Sequence, residues 1–149
     1  MKNKILFDNN AIDTILDNFN LFKNLSKFYS YFASPTILEE LAIIPDDKKE
    51  KRIKNIISMF QLNFKLINDS VFIIGHSRLD CACLGNGVIY NKILNKSKNN
   101  IKDAIIADTA TINKCILYTN DIRLYNKMKK LNLNVINLEE LKKVEQTNE

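Results

Sequence analysis

The sequence predicts an α/β protein whose central parallel sheet is flanked by helices. Three observations carry this. Short apolar runs at residues 4–7, 28–32, 64–67, 115–118 and 134–136 alternate with stretches of helical periodicity. Two of those runs end directly on a polar corner with an acid, Asp8 after the first and Thr119-Asn120-Asp121 after the fourth, and in open α/β sheets the ligand crevice lies beyond the carboxyl ends of the strands. The 149 residues show no break in composition, and a chain of that length buries most of its surface in one core. One domain over residues 1–149 is expected, with 145–149 a polar tail.

In chain order, strand 4–7 leads through Asp8-Asn9-Asn10 into a helical pattern marked by Ile12, Ile15, Leu16 and Phe19. Asp8 caps that helix or faces the crevice, and the residues alone favour the cap. The aromatic strand 28–32 is followed by Ser34-Pro35, a helix start with Ser at the N-cap and Pro at the first position. Glu39 and Glu40 lie in this helix; adjacent helical residues point about 100° apart, so one of them at most aims at a given site. Leu41 follows Glu40 and, with Leu38, marks the buried stripe. The next helix, about 46–60, has a basic middle and an apolar stripe at Ile53, Ile56, Ile57 and Phe60. Residues 70–86 carry no clear pattern. His76, the lone histidine, has no partner at ligand or triad spacing and is read as structural. A Gly85-Asn86-Gly87 turn and a helix through Val88, Ile89, Ile93 and Leu94 lead to a polar loop.

Residues 102–121 concentrate the candidate chemistry. Asp103 stands in the first turn of a helix whose small Ala104, Ala107 and Ala110 suit close packing, and strand 115–118 then delivers Asp121 to the edge proposed for Asp8. Asp108, five residues past Asp103, is rotated from it by about 140° and is assigned a supporting or solvent-facing role. A basic amphipathic helix at 123–130, the strand 134–136 and a helix at 138–144 close the chain.

Apolar residues make up 46% and charged residues 26%, which excludes a disordered protein. The longest apolar runs, 71–74 and 104–107, are too short for a bilayer, and residues 1–10 lack the core of a signal peptide; a cytoplasmic protein is expected. Cys81, Cys83 and Cys115 form neither an even set nor a zinc pattern and are read as reduced. A net charge of +5 attracts polyanions. No Gly-rich phosphate loop is present, which disfavours a nucleotide-cofactor enzyme.

The ordered set ILFDNNAI (5–12), SPTILEEL (34–41), DAIIADTA (103–110) and LYTND (117–121) resembles the PIN-domain nucleases, and within them the VapC-type toxins of bacterial toxin–antitoxin modules. Residues 77–87 are similar to the loop-and-helix approach of some members. The resemblance implies a PIN-like three-layer sandwich and cleavage of RNA dependent on Mg²⁺ or Mn²⁺. Its acidic positions fall on Asp8, Glu40, Asp103 and Asp121, which would hold the metal, and its hydroxyl on Thr119, which would bond a carboxylate or the substrate phosphate. Glu39 stays a rival of Glu40. An antitoxin partner and a homodimer are implied, and no membrane. Where many members carry a further acid two places past the last aspartate, this chain has Arg123; that motivates the alternative of a PIN-fold RNA-binding or interaction module without catalysis. A receiver-like phosphoacceptor would want paired acids after the first strand, where this chain has Asp8-Asn9-Asn10.

Four carboxylates facing one crevice repel one another unless a cation neutralises them, so without metal some are expected to be protonated. Lys102, Arg123, Lys127 and Arg78 are the expected substrate-contacting cations.

Overall fold

In the computed structural model, residues 2–43, 46–77, 80–94 and 100–148 are described. The elements are β1 (Asn3–Phe7), α1 (Asn9–Ile12), α2 (Phe19–Leu25), β2 (Tyr29–Ala33), α3 (Pro35–Ala42), α4 (Lys49–Gln61), β3 (Lys65–Leu66), α5 (Val88–Leu94), α6 (Ile101–Ile112), β4 (Ile116–Tyr118), α7 (Ile122–Lys130), β5 (Val135–Ile136) and α8 (Leu138–Asn148). The strands pair in parallel in the order β3-β2-β1-β4-β5. Helices flank the sheet, so the expected α/β sandwich is the architecture found.

That order reverses at β1. The chain steps outward through β2 and β3 on one side, then returns to place β4 and β5 on the other, which makes the gap between the ends of β1 and β4 a topological switch point. Register brings Phe7 beside Tyr118, and the Asp8 amide donates to the Tyr118 carbonyl at 2.9 Å. Behind this edge lies an aromatic layer. Phe7 contacts Phe22, Tyr31, Phe64 and Tyr118 with centroids 4.7–5.5 Å apart in tilted or edge-on geometry, the arrangement ring quadrupoles prefer. Each ring of this size removed from water contributes about 1.5–3 kcal/mol, and together they give the sheet edge a dry backing.

Four elements depart from expectation. The helix after β1 breaks after one turn, because side chains from elsewhere satisfy its backbone: the Asn55 Oδ1 accepts the Leu16 amide at 2.9 Å, and a 3₁₀ turn at Leu16–Asn18 precedes α2. On α4 the apolar stripe does not enter the core. Arg52, Asn55, Ser58 and Met59 are its buried residues, whereas Ile53, Ile57 and Phe60 stay exposed; Arg52 instead pairs with Asp13 at 2.9 Å. Leu38 is likewise left partly exposed on α3. Finally, α8 continues past Val144 through the expected polar tail, where Glu145 accepts from the Asn24 amide at 2.9 Å. Among the described residues no helix is long and apolar enough to cross a membrane.

Candidate active site

Asp8 is the first residue past β1 and is 4% exposed. Its Oδ1 accepts the Asn9 amide at 2.7 Å, which makes it the cap of α1, and its Oδ2 accepts the Thr119 hydroxyl at 2.8 Å. Thr119, first past β4 and fully buried, also accepts the Asp121 amide at 3.0 Å through the same Oγ1. Of the two partners expected for this hydroxyl, the structure provides the carboxylate. Asp121 caps α7, its Oδ1 accepting the amides of Arg123 (2.7 Å) and Leu124 (3.1 Å), which leaves Oδ2 as the oxygen for another partner. The cap and the site are not alternatives: a helix start at a strand end is what aims each carboxylate at the crevice.

Asp103 lies in the first turn of α6, and Glu40 on the last turn of α3, paired with Lys102 at 3.2 Å. Electrostatics joins the four. Burial pushes the Asp8 carboxyl up to about 6 against the opposing pull of its Thr119 and Asn9 hydrogen bonds, and the charges of Asp103 and Glu40 push in the same direction. Burial likewise raises Asp103 to about 6, with Asp121 and Glu40 adding to it and Lys127 opposing. Glu40 is therefore the glutamate that shares the field of Asp8 and Asp103, while Glu39 acts on Asp69.

Among the expected cations, Lys102 is committed to Glu40 and Lys127 donates to the Ile93 carbonyl at 3.0 Å while facing Asp103. Arg123 is exposed. Arg78 lies outside the described residues. Tyr118 is core and Tyr125 bonds Glu140 from a helix face. His76 is exposed in a turn.

Among the described residues no group of three or more His, Cys, Asp or Glu side chains stands close enough together to hold a metal ion as the side chains are placed. The chemistry of the donors nevertheless fits a hard, partly hydrated divalent cation, which takes one or two carboxylates directly and keeps several waters; Asp8 and Asp103 are raised to about 6 first by desolvation and then by the neighbouring acids, a charge repulsion that a cation would relieve.

Comparison with solved structures shows the same fold elsewhere. The VapBC2 complex of Rickettsia felis, bound to a DNA fragment from its promoter, superposes with a TM-score of 0.58 at 17% identity, covering 90% of this chain and 98% of that one. A PilT N-terminus domain protein of Sulfolobus solfataricus P2 gives 0.50 at 15% identity over 95% and 92% of the two chains. The chain has a PIN-like fold. A protein of Pyrobaculum aerophilum gives 0.60 at 16% identity, over 99% of each chain. No family model matches the sequence, and no curated protein matches it either.

Within this PIN fold a buried polar clamp, missed in the sequence, ties the acid-bearing helices together. Asp69 caps α3 from 33 residues away, its Oδ2 accepting the Thr36 hydroxyl (2.8 Å) and amide (3.2 Å), while the Ser34 side chain at the N-cap position makes no capping bond. Ser70 donates to Asp108 at 2.5 Å, and its amide donates to the Thr109 hydroxyl at 3.0 Å. Asp108, 1% exposed, also accepts the Ile89 and Tyr90 amides at 3.1 and 3.0 Å, so it caps α5. It is thus turned away from Asp103, as helix geometry requires, but into the interior and not toward solvent. Gly85 allows the close approach this needs, since a Cβ there would lie 2.1 Å from the Ser70 carbonyl oxygen. The available signal was an acid shortly after strand 64–67, the same pattern that singled out Asp8.

Proposed function

We propose that the protein is a divalent-metal-dependent endoribonuclease and the toxin of a toxin–antitoxin pair. The observation that supports the reading is the electrostatic coupling that links Asp8 and Asp103 to Glu40 and Asp103 to Asp121, with Asp8 and Asp103 raised to about 6. The likeness of the fold to a toxin–antitoxin complex supports it. Mg²⁺ or Mn²⁺, when bound, supplies the positive charge that acidifies a water and offsets charge building on the phosphate.

The chain's own groups do the rest. Asp8, Asp103 and Asp121 would hold the ion, with Asp8 fixed by Thr119. Glu40, paired with Lys102, would orient the water or share the ion. Lys102 and Lys127 lie beside the carboxylates and would steady the phosphate. Exposed Arg123 would meet the RNA backbone outside the crevice; its place in the sequence affects how many ions bind, not whether a carboxylate cluster forms. Binding falls as salt rises, because the contacts are to phosphate.

Incubation of the purified protein with single-stranded RNA and Mn²⁺ tests the reading. Cleavage is expected, stopped by a chelator and reduced at least about 100-fold by Asp103→Asn. Cleavage indifferent to chelator contradicts it.

An antitoxin has a place to dock. Ala33, Leu38, Leu41, Met59, Phe60 and Leu66 line an apolar groove of about 310 Å³ between α3, α4 and the short edge strand β3, and Phe60 is 78% exposed. A groove between two helices fits the apolar face of a partner helix. A small DNA-binding protein encoded immediately upstream would be the candidate, and relief of growth inhibition on its co-expression is the expected result. Homodimer formation belongs to the same reading and is measured by sedimentation.

A further inference from the structure

A second cavity adjoins the acidic cluster through Thr119 and Asp121. It measures about 400 Å³ and lies between the first turn of α7 and the junction of β5 with α8. Its chemistry differs from that of the cluster. Three side-chain amides, those of Asn120, Asn126 and Asn137, line it together with Ile122 and Tyr125.

Two of the amides are held in place. Asn120 donates to the Tyr118 hydroxyl and accepts the Leu138 amide, both at 3.3 Å, and Asn137 accepts the Glu140 amide at 2.9 Å. Asn126 is exposed. The Tyr125 ring is fixed by its hydroxyl bond to Glu140 at 2.7 Å. Ile122 is 75% exposed, a large apolar side chain at the mouth that the fold leaves uncovered.

Asn120 spends both amide atoms and Asn137 its Oδ1 inside the fold, which leaves the Asn126 amide as an adjacent donor and acceptor and the Asn137 NH₂ as a further donor, a set that matches the edge of a nucleobase, and unpaired bases are the part of RNA that proteins read in this way. Ile122 and Tyr125 supply apolar and aromatic surface for the base's face. Asp121 and Glu139 add negative charge to the wall, so a free phosphate is disfavoured there and a neutral ring is not.

We infer that this cavity is a base-recognition pocket, which takes one unpaired nucleobase beside the scissile phosphate and so sets the sequence preference of cleavage. The inference rests on the nuclease reading of the adjoining carboxylates, and its test separates the two.

In metal-free buffer the uniformly ¹⁵N-labelled protein is titrated with each of the four ribonucleosides, which carry no phosphate. The side-chain amide signals of Asn126 and Asn137 are expected to shift saturably, with one base favoured about tenfold over the least favoured. No shift with any of the four overturns the pocket, whether or not the protein cuts RNA. In parallel, the ends produced from a randomised RNA pool are sequenced. The wild type is expected to show a base preference next to the cut, and Asn126→Ala, an exposed substitution that leaves the fold intact, to flatten it while Mn²⁺ affinity stays the same. Cleavage without preference, or a preference that survives Asn126→Ala, overturns the pocket and leaves the nuclease reading standing. A wild type that does not cut overturns the nuclease reading, and the nucleoside titration then decides the pocket.

Discussion

Asp8 stores free energy that the folded chain gives up when it loses a proton. Its carboxyl rises from the ordinary 3.8 to about 6 because it is buried, so between those values the folded state binds a proton that the unfolded state has released. Stability from this source is complete below 3.8 and is lost as pH rises through 6. Asp8→Asn removes the charge and keeps one acceptor oxygen for the Asn9 amide, its NH₂ then donating to the Thr119 Oγ1 in place of the bond that the hydroxyl gave. In the absence of metal it should raise stability at pH 7.5 by about 1–3 kcal/mol, with the gain vanishing near pH 4; thermal melts at the two values check this. The same protons compete with cations. Mn²⁺ affinity should therefore fall steeply below pH 6 as Asp8 and Asp103 protonate, and titrations at pH 5.0, 6.0 and 7.5 on the pH scale measure it. Glu39 and Glu40 show where residue-level reading stops. Helix phase says that one of two neighbours faces the site, but choosing Glu40 needs the packing of α3 against α6, which brings in Lys102.

At the scale of elements, what was legible was local. Strands β1 and β4, the helix starts after them and the first-turn place of Asp103 follow from runs and caps within a few residues of sequence. The clamp was not legible, because Ser70 and Asp108 are 38 residues apart and Asp69 and Thr36 are 33 apart. The stripe on α4 was misjudged for a related reason: Arg52 and Asn55 are buried through partners on the far side of the chain, Asp13 and Leu16, and polar burial of that kind leaves no periodic trace. The clamp carries its own prediction. Asp108→Ala strips an acceptor from the Ser70 hydroxyl and from two α5 amides, and leaving such groups unpaired in the interior costs about 1–3 kcal/mol each. Chemical denaturation should show a loss of at least about 2 kcal/mol, and hydrogen exchange should rise at Ile89 and Tyr90 before it rises in the β1–β4 ladder. Equal protection of α5 in the variant and the wild type would remove the cap from Asp108.

For the whole molecule, parallel strands reversing at β1 put two strand ends and two helix starts at one point, and each brings a carboxylate there. None of the four carboxylates lines the apolar groove between α3, α4 and β3, so the proposed partner recognition and the proposed chemistry are separable by mutation. Phe60→Asp should abolish neutralisation by the antitoxin while Mn²⁺-dependent cleavage persists, since Phe60 is an exposed groove residue outside the cluster; paired cleavage assays with and without the antitoxin decide it. The central claim is that these carboxylates, brought together by the topology, form a divalent-cation site. Calorimetric titration of Mn²⁺ into the folded protein at pH 7.5 addresses it most directly. Saturable binding to the wild type, weakened at least about tenfold in Asp103→Asn with the circular dichroism spectrum unchanged, is the result expected. Absence of binding to the wild type, or equal binding to both, contradicts it.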